Sequence, residues 1–90
     1  MEGRVRIDKW LWHARFYRTR VLAQSAAAAG LIRLNGQRVV KSSAAIGPGD
    51  ILTVPRGTEV VVLRVLGIAA RRGSSADARR LYEVVIDAPA

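Results

Sequence analysis

The dipeptide Asn35-Gly36 lies between two short runs, 31–34 and 37–40, that each carry branched apolar residues. Asn-Gly is the pair that most readily takes up the two successive left-handed conformations of a tight two-residue hairpin. A hairpin here divides the chain, because the spacing before it is helical and the spacing after it is that of strands. Ile7, Trp10, Leu11 and Ala14 recur at helical intervals and predict the core stripe of a first helix over about 8–17. Asp8 would stand near its N-terminus, where a carboxylate accepts backbone N–H groups. Thr19 is the expected N-cap of a second helix over about 20–29, with Val21, Leu22, Ser25, Ala26 and Ala29 as its buried stripe. Gly30 is placed to end that helix in the left-handed conformation.

Downstream, Gly47-Pro48-Gly49-Asp50 and Pro55-Arg56-Gly57 are turn sequences. They frame strands over 51–54 and 59–66, followed by a polar loop over 71–80 and a closing strand over 81–86. Two helices followed by short antiparallel strands predict an α+β domain. Ninety residues suit one such domain, here 1–90 with a core over about 4–66.

Charge narrows the function. Residues 1–41 hold nine basic side chains against two acidic ones, whereas residues 42–90 hold six against five. This asymmetry suggests a polyanion-binding region joined to an ordinary scaffold. Thirteen of the fifteen basic residues are arginine, whose planar fork suits bidentate contact with phosphate. There is no cysteine, so neither disulfides nor thiolate metal sites are expected. The longest uncharged stretch, 21–32, is shorter than the ~20 residues of a membrane span. No signal-peptide pattern opens the chain, and a soluble cytoplasmic protein is expected.

The first helix places Lys9, Trp12, His13 and Phe16 away from its predicted core stripe, with Arg15 on the flank. Large rings among cations suit nucleic acid, where cations meet phosphate and rings meet bases or riboses. Trp12 and Phe16, four apart, could also stack on each other. Arg15, Arg18 and Arg20 crowd the junction before the second helix, whose free N–H groups favour an anion. Arg33 and Arg38 flank the Asn-Gly turn and Lys41 follows, extending the same basic surface.

Arg6-Ile7-Asp8-Lys9-Trp10-Leu11-Trp12, Ala14-Arg15-Phe16, Arg18-Thr19-Arg20, Gly30 and Leu34-Asn35-Gly36 together resemble the S-four RNA-binding domain. Within that superfamily the chain is most similar to the bacterial heat-shock protein fifteen family, including Arg71-Arg72 leading to Leu81-Tyr82-Glu83. The resemblance implies an αL motif of two helices plus a hairpin, followed by a small antiparallel sheet. It implies RNA contact by Arg6, Lys9, Arg15, Arg18, Thr19, Arg20, Arg33, Asn35 and Lys41, with Asn35 and Gly36 also serving as turn formers. Trp12 and Phe16 are candidate stacking residues, and Arg38, Arg71 and Arg72 secondary contacts. The implied partner is structured rRNA, on or from the large ribosomal subunit, and the implied role is rescue or recycling of stalled subunits under heat stress. Some family members carry a long charged C-terminal extension; this sequence ends Asp87-Ala88-Pro89-Ala90, so functions of that extension are not expected of it.

An enzyme is not expected. His13 is the only histidine, and the carboxylates show no paired or metal-binding spacing. No cofactor, small-molecule substrate or membrane partner is expected, and a monomer is the default. Two other readings stay open. A DNA-binding module would use the same charges, but an Ala-rich second helix lacks side chains that reach base edges. A protein-interaction adaptor would use Trp12 and Phe16, and its binding would survive high salt, unlike phosphate contacts.

Overall fold

The structure, a computed structural model, describes residues 3–89. Its elements run β1 (Val5–Arg6), α1 (Ile7–His13), α2 (Arg20–Ala28), β2 (Arg33–Leu34), β3 (Gln37–Arg38), β4 (Ala45–Ile46), β5 (Ile51–Arg56), β6 (Glu59–Val65), α3 (Ser75–Arg79) and β7 (Tyr82–Pro89). The class is α+β, with a five-stranded antiparallel sheet in the order β3-β2-β5-β6-β7 and a separate ribbon of β1 with β4.

Helix α1 buries the stripe read from its spacing, Ile7, Trp10, Leu11 and Ala14. It is shorter than 8–17, however, and ends at His13. Arg15 N–H donates to the Trp12 carbonyl and Phe16 N–H to that of Leu11, with Arg15 at φ 66°. This is the paired-bond closure that normally uses glycine at the left-handed position. A side chain there costs about 1–2 kcal/mol. The Arg15 guanidinium offsets this by donating twice to the Gly73 carbonyl, at 3.1 and 2.7 Å.

Helix α2 closes the same way through Gly30 at φ 79°, with Gly30 N–H to Ala27 and Leu31 N–H to Ala26. Its N-cap is Thr19, whose hydroxyl accepts from Leu22 N–H at 3.1 Å. Its buried face is Ala23, Ala26 and Ala27; of the predicted stripe only Ala26 is buried, Val21 being 67% exposed and Leu22 48%, with Ser25 and Ala29 exposed as well. Small residues let α2 approach α1 closely, which the larger ones would prevent.

The hairpin is as predicted in kind and shorter in extent. Asn35 and Gly36 both have positive φ, at 51° and 86°, and pair Leu34 with Gln37 and Arg33 with Arg38 across a primed turn. Strands β5 and β6 bury alternate residues, Leu52 and Val54, then Val61, Leu63 and Val65, so one face of the sheet packs on the helices. The loop expected over 71–80 contains α3, closed at its start by a capping box between Ser74 and Asp77. The closing strand runs to Pro89 rather than 86, and its pairing with β6 shifts register beside Val62 and Leu63. The β1–β4 ribbon pairs strands of two residues each, too short to carry a strand period in the sequence. It matters for the site because its ladder continues into α1: Ile7 N–H donates to the Ala44 carbonyl and Asp8 N–H to that of Ser42.

Candidate nucleic-acid interface

Asp8 organises the start of α1. It is 1% exposed, yet its carboxylate is not stranded. Arg6 Nε donates to Oδ1 at 3.2 Å and Arg6 Nη2 to Oδ2 at 3.0 Å. Arg20 Nη2 stands 3.7 Å from Oδ1, and Lys9 N–H donates to the same oxygen at 2.7 Å. A buried carboxylate held this way fixes the guanidiniums around it. Arg6 and Arg20 nonetheless keep close to half of their side-chain surface in solvent. They are therefore oriented by Asp8 and still open to a ligand.

Because Asp8 N–H bonds the Ser42 carbonyl, Lys41 comes back beside the start of α1. Arg33 and Arg38 are direct cross-strand partners on the hairpin, and both are exposed. Like charges directly opposite destabilise a free hairpin, so a polyanion laid across them relieves a repulsion already built in. The methylenes of Arg38 run over Gly30, where a Cβ would stand 2.9 Å from Cδ.

Several of the other predicted residues also make bonds within the fold. Arg15 is bonded to the Gly73 carbonyl. Asn35 ties the hairpin to β5, with its Oδ1 accepting from Ile51 N–H at 2.9 Å and its Nδ2 donating to Asp50 at 3.2 Å. Thr19 spends its hydroxyl on the α2 cap. Arg18 and Arg71 are exposed. Arg72 donates to the Trp12 carbonyl at 3.0 Å and lies over the Trp12 ring at 5.8 Å, so Trp12 is half-buried between Arg72 and the His13 ring.

The two aromatics read as an outward pair are not one. Phe16 turns inward, stacking on Trp10 and tilting against Tyr82, with Arg56 over its face. It joins the core because the closure at Arg15 reverses the chain and carries residue 16 back over α1. His13 is likewise inside, 2% exposed. Sequence spacing missed Asp8 as an organiser: its position at a helix start suggests a capping role, and nothing local shows that residues 6 and 20 converge on it.

Burial lowers the His13 pKa below its ordinary 6.5, and the nearby charges of Lys9, Arg20 and Arg72 lower it further, against a hydrogen bond to the Ala69 carbonyl that raises it. The unfolded chain therefore binds a proton near pH 6.5 that the folded chain refuses. Stability is full above that pH and falls as pH drops through 6.5 toward the folded value. Urea midpoints at pH 7.5 and 5.5 check this: a fall at the lower pH is expected, reduced in His13→Gln.

Among the described residues no group of three metal-ligating side chains is present, and no helix is long and apolar enough to cross a membrane. The site is a basic surface held by a buried carboxylate. The S4 domain family model matches residues 5–52, which run from β1 into β5 and include Asp8, Arg6, Arg20 and the hairpin. The chain belongs to the S4-domain family.

Among its relatives, a heat shock protein 15 homolog of Aeromonas salmonicida is 43% identical over 79 residues, covering 88% of this chain and 59% of that protein. The RQC P-site tRNA stabilizing factor of Bacillus subtilis is 39% identical over 61 residues, 68% of this chain and 70% of that protein. A solved trimeric structure of Vibrio cholerae heat shock protein 15 shares 36% identity, with a TM-score of 0.86 over 91% of this chain and 82% of that one. The resemblance read from the sequence is thus borne out, and this S4-domain chain groups with the heat shock protein 15 family. It spans about three-fifths of the length of the first curated relatives it matches.

Proposed function

We propose that this S4-domain protein is a non-catalytic binder of structured RNA, and that its partner is rRNA of the large ribosomal subunit. The observation that carries the reading is the Asp8-centred cluster: Arg6 and Arg20 preoriented by a buried carboxylate, with Lys9 next to Asp8 in the chain and Lys41 next to the Ser42 carbonyl that Asp8 N–H bonds. Fixed guanidiniums match phosphate geometry with little ordering cost on binding. The exposed residues Arg18, Arg33 and Arg38, with Arg71 and Arg72 beyond, extend the surface. Trp12 is the stacking candidate that remains; Arg15, Thr19 and Asn35 would act chiefly by shaping the surface from their structural positions.

The B. subtilis relative's name supports placing this chain in ribosome-associated rescue, acting in the cytoplasm on stalled large subunits. Duplex DNA fits less well, because past Arg20, which Asp8 holds, the exposed side chains of α2 are Val21, Leu22, Gln24, Ser25 and Ala28, none suited to a bidentate contact with guanine. The V. cholerae relative is trimeric, which favours self-association of this chain over the expected monomer. β7 is an edge strand with exposed Val84, Val85 and Ile86, the surface we assign to any self-association.

Sedimentation with separated ribosomal subunits tests the partner. Cosedimentation with the large subunit alone, weakening between low and moderate salt, is expected. Equal binding to both subunits and to duplex DNA would reduce the function to general polyanion binding.

A further inference from the structure

We propose that the cleft between the end of α1 and α3 receives a single unpaired nucleobase of the bound RNA. This rests on the RNA-binding reading above and deepens it. The cleft holds about 280 Å³ and is walled by Ala69, Ala78 and Leu81, with His13 at its α1 side and Arg71 and Asp77 at its edges. Ligand sites begin at about 300 Å³, so this is room for one ring system rather than a phosphate-bearing strand.

Its position joins it to the basic face. His13 is four residues from Lys9, one helical turn along α1. Arg71 itself lines the cleft, and Arg72 is bonded to the carbonyl of Trp12, the chain neighbour of His13, so cations of the basic surface border this cleft. A strand whose phosphates lie on those cations passes its mouth. A base turned out of the stack leaves the phosphate path outside and puts an apolar, polar-edged ring inside, the division by which proteins read unpaired RNA.

The interior chemistry fits a base better than other occupants. A phosphate inside would meet the Asp77 carboxylate, and an apolar peptide side chain would leave the edge groups unpaired. His13 lines the α1 side of the cleft, and a neutral imidazole carries one donor and one acceptor nitrogen. Arg71 donates and Asp77 accepts, so donors and acceptors on a base edge both find partners. The outer wall is also preformed. The Ser74–Asp77 capping box fixes it, and Gly73 lies so close that a Cβ there would be 2.6 Å from the Asp77 carboxylate.

The test uses two RNA hairpins of equal length, one fully paired and one with a single bulged nucleotide. Their affinities are measured for the wild type and for Ala70→Trp, since Ala70 is exposed and lines the cleft. The wild type is expected to bind the bulged RNA about tenfold more tightly. Ala70→Trp should lose that preference and keep its affinity for the paired RNA. With 2-aminopurine at the bulge, the wild-type protein should shield it from acrylamide quenching, a readout that needs no variant. Equal affinity for the two RNAs, a preference surviving in Ala70→Trp, or an unshielded 2-aminopurine overturns the nucleobase site and leaves RNA binding standing. Failure to bind either hairpin at low salt overturns the RNA-binding reading itself.

Discussion

Asp8→Asn should bind structured RNA about tenfold more weakly, although it removes a negative charge from a basic face, the loss expected for about one charged hydrogen bond. General electrostatics predicts the opposite sign, because a less negative protein attracts a polyanion more strongly. The positioning role predicts the fall because Asp8 takes two hydrogen bonds from Arg6 and holds Arg20 at 3.7 Å. An amide at that position supplies one oxygen instead of two and no charge, so both guanidiniums gain freedom that binding must then remove. Glu83→Gln is the matched control. It changes net charge by the same amount at the ion pair with Arg64 on the sheet, and should leave RNA affinity unchanged or slightly raised. The fold should survive Asp8→Asn, since pairs with half-exposed arginines are each worth only ~0–1 kcal/mol. Fluorescence anisotropy of both variants with a labelled rRNA fragment checks the sign. Tighter binding by Asp8→Asn would remove Asp8 from the account.

Trp10→Ala should bring the domain close to unfolding. Trp10 is fully buried at the centre of the core, stacked with Phe16 and edge-on to Tyr82. Its indole N–H donates to the Gly67 carbonyl at 2.9 Å, tying α1 to the segment after β6. Removing a buried tryptophan costs about 3–5 kcal/mol in packing, and an unpaired carbonyl adds about 1–3 kcal/mol. Whole domains are stable by only about 5–15 kcal/mol. Trp10→Phe separates the two contributions, because it keeps most of the packing and loses only the donor. Urea denaturation should show Trp10→Ala largely unfolded without denaturant and Trp10→Phe intermediate; a loss below about 1 kcal/mol for Trp10→Ala would contradict the packing described.

What could be read from sequence was what local chemistry decides. Thr19 and Gly30 bracket α2 because a hydroxyl cap and a left-handed closure are properties of those residues themselves. Asn35-Gly36 gave the hairpin for the same reason. The end of α1 was not legible, since its left-handed residue is an arginine sustained by a carbonyl 58 residues away. The face of α2 was misread because hydrophobicity favoured Val21 and Leu22, while close helix packing favoured Ala23, Ala26 and Ala27. Helix α3 was legible in principle, for Ser74 and Asp77 have capping-box spacing, but five residues carry little periodicity. The two-residue strands β1 and β4 carry none. At the site, the clustering of charge was visible in the chain. The convergence of Arg6 and Arg20 on a buried Asp8 was not, because it depends on α1 and α2 packing together.

On the proposed function, phosphates of a folded RNA lie on the guanidiniums around Asp8. The salt dependence of binding to a folded rRNA fragment tests it most directly, measured for the wild type and for the Arg18→Ala/Arg20→Ala double variant. A steep linear fall of log affinity with log salt is expected in the wild type. In the variant the slope should be shallower by about two phosphate contacts, with an unchanged circular dichroism spectrum. An equal slope in both proteins would contradict it, because Arg20, held by Asp8, and its exposed neighbour Arg18 would then meet no phosphate.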